Sequence, residues 1–177
     1  MKLISELLKE AEEENRRNSG FLTECRNQKL REQWVLGKFA MKYNKNKKAQ
    51  DKIIFAEPSE TPDFKIFDCK KNWMFNVEIT EALDKNTKRS SEYKTQTEEI
   101  IFIDRVNYLP VIKMLILKKC SKDYPNNTIL IIYFDMFSSI YDKFKSENFS
   151  SLLLQEKCSL SQIWLLDSDG NNILQIS

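Results

Sequence analysis

Leu3, Ile4, Leu7, Leu8 and Ala11 recur at three- and four-residue intervals among Glu and Lys, so Lys2 to about Arg17 is expected to form an amphipathic helix that stops near Ser19-Gly20. A second helix is expected from Thr23, a suitable cap, to about Tyr43, with Leu30, Trp34, Val35, Phe39 and Tyr43 on its apolar stripe. The period then changes. Lys52–Glu57, Asp63–Cys69 and Trp73–Thr80 read as three strands, broken at Ser59–Pro62 and Lys70–Asn72, with the second and third forming a hairpin.

From Ser91 to Lys122 the helical period returns, apolar over so wide a face that the helix must be largely buried, and Pro110 should kink or split it. Thr128–Phe134 is an unbroken β-branched and aromatic run after the turn residues Pro125-Asn126-Asn127, as expected of a strand in mid-sheet covered on both faces. Ser138–Glu156 reads as helical with a break near Asn148. Gln162–Leu166 and Ile173–Ile176 read as a terminal hairpin around Asp169-Gly170. This order implies an α/β domain with a mixed sheet between helices, spanning residues 1–177 as one domain: N-terminal helices over 1–45 and an α/β core over 52–177.

Composition narrows the chemistry. With 41% hydrophobic and 31% charged residues and only three Gly, the chain is ordinary globular material. It contains no histidine, which excludes Ser/His/Asp triads, Cys/His pairs and His-based zinc sites. Cys25, Cys69, Cys120 and Cys158 form no CxxC pair and are expected to be reduced, mostly buried thiols. The N-terminal stretch lacks the apolar core of a signal peptide and no apolar run is long enough to span a bilayer, so a cytoplasmic protein without a membrane partner is expected.

The net charge of +2 is small, but Lys38, Lys42, Lys45, Lys47, Lys48 and Lys52 cluster where the second helix ends. They could grip a phosphate backbone or simply solvate a helix exit. Trp34, Trp73 and Trp164 could stack on bases, but their positions favour packing in the core.

The hairpin supplies the candidate site. If its turn centres near Lys70-Lys71, opposed residue numbers sum to about 141, which sets Asp63 opposite Glu78. Glu78 and Thr80 then share one face of their strand, and Val77 and Ile79 take the buried other face. Two facing carboxylates repel unless a proton or cation joins them, and hard oxygen ligands without histidine suit Mg²⁺ or Mn²⁺ and hence phosphate chemistry.

Through Pro62-Asp63-Phe64-Lys65-Ile66 and Val77-Glu78-Ile79-Thr80-Glu81 the sequence resembles the PD-(D/E)XK nuclease superfamily. The resemblance implies the restriction-endonuclease-like fold, a three-layer α/β/α arrangement about a mixed sheet. It also implies Asp63 and Glu78 as metal ligands, with nucleic acid as the partner. Thr80 stands where the superfamily carries the lysine that orients or activates water, so a displaced lysine is expected. Lys65, on the face of Asp63, and Lys94, at the start of the long helix, are candidates, although each also reads as an ordinary surface lysine. Glu32 resembles the extra acidic residue that many members carry on the helix before the sheet. Either it or Glu57, at the end of the first strand, could complete the metal shell. Thr95-Gln96 could touch substrate.

Two further readings accompany the nuclease. One is an inactive nuclease-fold domain that binds nucleic acid or protein. The other is a dimeric structural protein using Lys2–Arg17 as its interface.

Overall fold

The computed structural model describes residues 1–17, 28–82, 108–134, 158–167, 170 and 172–176. Within them lie strand β1 (Lys2–Leu3), helices α1 (Ile4–Arg17) and α2 (Gln28–Tyr43), and a 3-10 turn (Ala49–Asp51). Strands β2 (Phe55–Pro58), β3 (Phe64–Phe67) and β4 (Trp73–Ala82) follow. Helix α3 (Tyr108–Cys120) and strands β5 (Thr128–Phe134), β6 (Leu160–Asp167) and β7 (Ile173–Gln175) complete the order.

The strands form one seven-stranded sheet whose spatial order is their chain order. Neighbours run antiparallel from β1 to β4 and again between β6 and β7, while β4, β5 and β6 are parallel. Parallel neighbours need a long crossover, and α3 lies on the one that joins β4 to β5. This is a mixed α/β architecture.

The helices cover both faces. Alternation along the strands sends Phe64, Ile66, Phe75, Val77, Ile129 and Ile131 to one side, where Ile4 and Leu7 of α1 and Val35, Leu36 and Phe39 of α2 bury them. The intervening residues Leu130, Ile132, Ile163 and Leu165 meet Ile112 and Ile116 of α3 on the other side. β5 is covered on both faces and paired on both edges, as its apolar run leads one to expect.

Several boundaries differ from expectation. Lys2 and Leu3 are not helical: they pair with Ala56 and Phe55 as an edge strand, and the helix starts at Ile4. Two residues are too few for a strand period to show. β2 begins at Phe55 rather than Lys52, since the preceding residues are held from elsewhere: Asn44 brackets Ile53 through both its amide and its carbonyl (2.9 and 2.8 Å). Pro110 is the third described residue of α3, and the kink or split expected there involves preceding residues that lie outside the described ones. The expected helix from Ser91 to that point, the helical stretch Ser138–Glu156 and Thr23 as a cap lie outside the described residues.

The cysteines also differ. Cys120 and Cys158 are joined in a disulfide across 38 positions, and Cys69 is exposed in the β3–β4 turn, while Cys25 lies outside the described residues. The last residue of α3 packs against the sheet beside the start of β6, so the two sulfurs meet although nothing in their spacing announces it. Trp34 and Trp164 pack against the core as expected, but Trp73 is half exposed at the start of β4. No helix among the described residues is long and apolar enough to cross a membrane.

Candidate functional site

The β3–β4 hairpin carries the expected register. Phe64 pairs with Val77, Lys65 with Asn76 and Ile66 with Phe75, each pair having the sum read from the sequence, with one irregularity before Phe67 meets Trp73. The turn is closed by Asp68, whose Oδ1 accepts from the amides of Lys70 (2.7 Å) and Asn72 (2.8 Å). The Asn72 side-chain amide, donating to Oδ2 at 2.9 Å, and then these backbone bonds hold its carboxyl below the usual range. Lys71 takes the left-handed conformation the turn requires (φ 63°).

Continued by one residue, this register sets Asp63 opposite Glu78. The amide of Asn76 donates to Asn127 on the β5 flank, so alternation turns the amide of Ile79 toward β3. β3 has already ended there. The Asp63 carboxylate takes the place of the missing strand, its Oδ2 accepting from Ile79 N–H at 2.7 Å. Burial pushes the Asp63 carboxyl up to about 7 despite that bond, and the charges of Glu78 and Glu32 add to the rise while Lys119 opposes it.

Glu78 is buried under α3. The expectation that only the Val77 face of β4 is buried is thereby corrected: α3 covers the Glu78 face as well. Glu78 Oε1 accepts from Lys119 Nζ at 2.5 Å and from the Tyr124 hydroxyl at 3.0 Å. The Lys119–Glu78 pair is largely removed from water, with side-chain exposures of 12% and 8%. Burial, then the neighbouring Glu78 charge, raises the Tyr124 phenol well above its ordinary range.

Comparison with protein-family models, curated proteins and solved structures finds no match.

The remaining expected residues fall into three groups. Glu32, one turn into α2, accepts from Gln28 (2.8 Å), and its charge reaches Asp63. Glu57 and Lys65 face each other across β2 and β3, both exposed, and neither is among the charges that act on Asp63. Thr80 shares the face of Glu78, beside Ile132 of β5. Lys94, Thr95 and Gln96 lie outside the described residues. In the lysine cluster, Lys38 pairs with Glu12 at 2.7 Å and lies over Trp34, Lys47 lies over Tyr43, and Lys45 and Lys48 are exposed.

Lys119 and Tyr124 were not anticipated from the sequence. Lys119 follows Lys118 in the last turn of a helix, where lysines ordinarily complement the helix dipole, and Tyr124 stands in a turn before Pro125. The one available signal is the helical period: Lys119 lies three and seven positions from the buried Ile116 and Ile112, which turns it toward the sheet.

Among the described residues no group of three or more His, Cys, Asp or Glu side chains could hold a metal ion. The pair Asp63 and Glu78 nevertheless has a donor set that suits one. Each carboxylate has one oxygen tied to protein, Oδ2 to Ile79 and Oε1 to Lys119 and Tyr124. The other oxygen has no hydrogen bond among the described residues. A hard divalent cation such as Mg²⁺ is commonly held by one or two carboxylates, with water and phosphate oxygens completing its shell.

Proposed function

We propose that the protein is a metal-dependent nuclease of the PD-(D/E)XK type, with the restriction-endonuclease-like fold, in which Asp63 and Glu78 are the metal ligands and Lys119 replaces the lysine absent at Thr80. The observation that carries this reading is the convergence of the three side chains: two facing carboxylates, with the Asp63 anion destabilised chiefly by burial and further by Glu78, and an ammonium group on Glu78. Thr80 leaves the strand without a cation. The helix above the same face delivers one instead.

Mg²⁺ or Mn²⁺, when bound, would polarise the phosphodiester and favour hydroxide over water. Asp63 and Glu78 would orient the ion through their unbonded oxygens. Lys119 uses one of its three N–H donors on Glu78, leaving the others for the attacking water or a phosphoryl oxygen, whose negative charge grows as the nucleophile adds to phosphorus, the pair of the breaking P–O bond leaving with the sugar oxygen. Tyr124 fixes the Glu78 carboxylate by donating its hydroxyl to the same oxygen, Oε1.

The test is cleavage of linear, circular and single-stranded DNA and RNA with Mg²⁺ or Mn²⁺ by the wild type, Glu78→Gln and Lys119→Met, each shown to be folded. Loss of about 10²–10³ in rate is expected for Lys119→Met, the scale of removing one group that stabilises developing charge. Variants that cleave as fast as the wild type would falsify the assignment. A pH profile sharpens it: ionisation of Asp63 must precede metal binding, so Mg²⁺ affinity should rise with pH through about 7.

A second reading has one specific observation in its favour. Glu78, Lys119 and Tyr124 already satisfy one another in a buried cluster, as a structural ion pair would. An inactive nuclease-fold domain that binds nucleic acid or protein would show no metal-dependent cleavage and would keep its binding in Asp63→Ala.

A further inference from the structure

Both groups that hold Glu78 come from one short stretch at the end of α3. Lys119 lies in the last helical turn and Tyr124 just beyond it, where the backbone leaves the helix through bonds from Ser121 N to Leu117 O (3.0 Å) and Lys122 N to Lys119 O (3.1 Å). Helix ends lose their intrahelical partners and fray unless tied down. A buried ion pair built on such an end needs an anchor.

The anchor is the pair of residues before β6. Cys120, next to Lys119, is bonded to Cys158. Ser159 accepts the Tyr124 N–H at 3.2 Å and donates to Lys122 O at 3.3 Å. Of these three links the disulfide is the only covalent one, and it acts on the residue beside the ammonium. Cys120 is buried, whereas Cys158 is only partly covered, which leaves its sulfur the more accessible to an attacking thiolate.

We propose that the Cys120–Cys158 disulfide is a positioning pair that seats Lys119 and Tyr124 on Glu78, and that its reduction by a dithiol frees Lys119 from the carboxylate. One thiolate of the dithiol attacks Cys158 Sγ, and the Sγ–Sγ bond breaks with its electron pair left on Cys120, which takes a proton. The second thiol then displaces Cys158 as its thiol, leaving the dithiol as a disulfide, two electrons and two protons having been transferred. The geometric claim stands on the links just described. Its consequence for catalysis, that the reduced protein cleaves more slowly, rests on the nuclease reading.

The experiment is amine acylation of the intact folded protein, with the rate at Lys119 compared with that at exposed Lys118 by peptide mass spectrometry. It is run on oxidised wild type, on wild type reduced by dithiothreitol with thiols counted, and on Cys158→Ser. In the oxidised protein Lys119 should react slowly. Reduction or Cys158→Ser should raise the Lys119 to Lys118 ratio about tenfold, as expected when a local opening replaces a closed contact. Glu78→Gln should raise it even when oxidised, showing that the readout senses the ion pair. An unchanged ratio in the reduced, folded wild type would overturn the proposal. So would recovery of Cys120 and Cys158 as free thiols from protein purified and denatured without reductant after exposure to oxidised glutathione. Because acylation needs no turnover, absence of cleavage would sink the nuclease reading and leave this result intact.

Discussion

The two faces of the sheet are built from the same strands but solve different problems. Under α1 and α2 the buried surface is apolar and aromatic: Phe39 lies 5.4 Å from both Tyr43 and Trp164, and Tyr43 lies 6.0 Å from Phe75. Under α3 the apolar layer of Leu130, Ile132, Ile163 and Leu165 shares its space with Asn76, Glu78 and Thr128. β4 serves both faces by alternation, sending Phe75 and Val77 into the first and Asn76 and Glu78 into the second. The first face gives the sheet its packing. The second accepts a buried ion pair that packing alone does not call for.

The comparison breaks first if the apolar face is emptied. Phe39 is fully buried within the aromatic cluster, and Phe39→Ala should cost about 3–5 kcal/mol in urea unfolding, the usual range for such a cavity. Metal-dependent cleavage per folded molecule should be unchanged, because Phe39 lies across the sheet from Glu78. An equal loss of rate and stability would show that the faces are not separable.

The polar face should respond differently. Lys119→Met leaves Glu78 buried without its cation and should cost about 3 kcal/mol, whereas Lys119→Met combined with Glu78→Leu should cost much less than the two single changes added together. Additive costs would mean that the pair contributes nothing as a pair. A smaller effect is expected where the two helices of the apolar face touch. A Cβ on Gly37 of α2 would stand 2.5 Å from Leu8 Cβ of α1, so Gly37→Ala should cost about 2 kcal/mol by overpacking, without altering Mg²⁺ affinity.

What could be read in advance follows the same division. The hairpin register was legible because the turn residues and the strand alternation agree, and both depend on neighbours in the chain. The central place of β5 was legible because Thr128–Phe134 has no polar side to turn outward. The terminal hairpin was legible from its turn, where Gly170 has φ 65°. Lys119 and Tyr124 were not, since Glu78 lies 41 and 46 positions away and each has an ordinary local explanation. The Cys120–Cys158 bond escaped for the same reason. Contacts made by tertiary packing between distant, unremarkable residues leave no local period, and the Lys119 ammonium beside Glu78 is one of them.

The smallest effect is the most specific to the site. Folding raises the Asp63 carboxyl from its ordinary 3.8 to about 7, so the folded state holds that proton more tightly than the unfolded chain. The sign follows: the contribution of Asp63 to stability is full below about pH 4, declines as pH rises toward 7, and is a constant penalty above that. Because the group is partly exposed and solvent screens it, the penalty is about 1–2 kcal/mol rather than the full linkage value. Asp63→Asn cannot ionise, and its side-chain oxygen can still accept the Ile79 N–H. The variant should therefore match the wild type at pH 4 and exceed its stability by about 1 kcal/mol at pH 8, measured by urea unfolding at each pH. Mg²⁺ should reverse that order at pH 8, stabilising the wild type by binding its ionised carboxylates and leaving Asp63→Asn nearly unmoved. If the two proteins instead run parallel from pH 4 to 8, the carboxyl is ordinary, and the strain that a divalent cation is proposed to relieve does not exist.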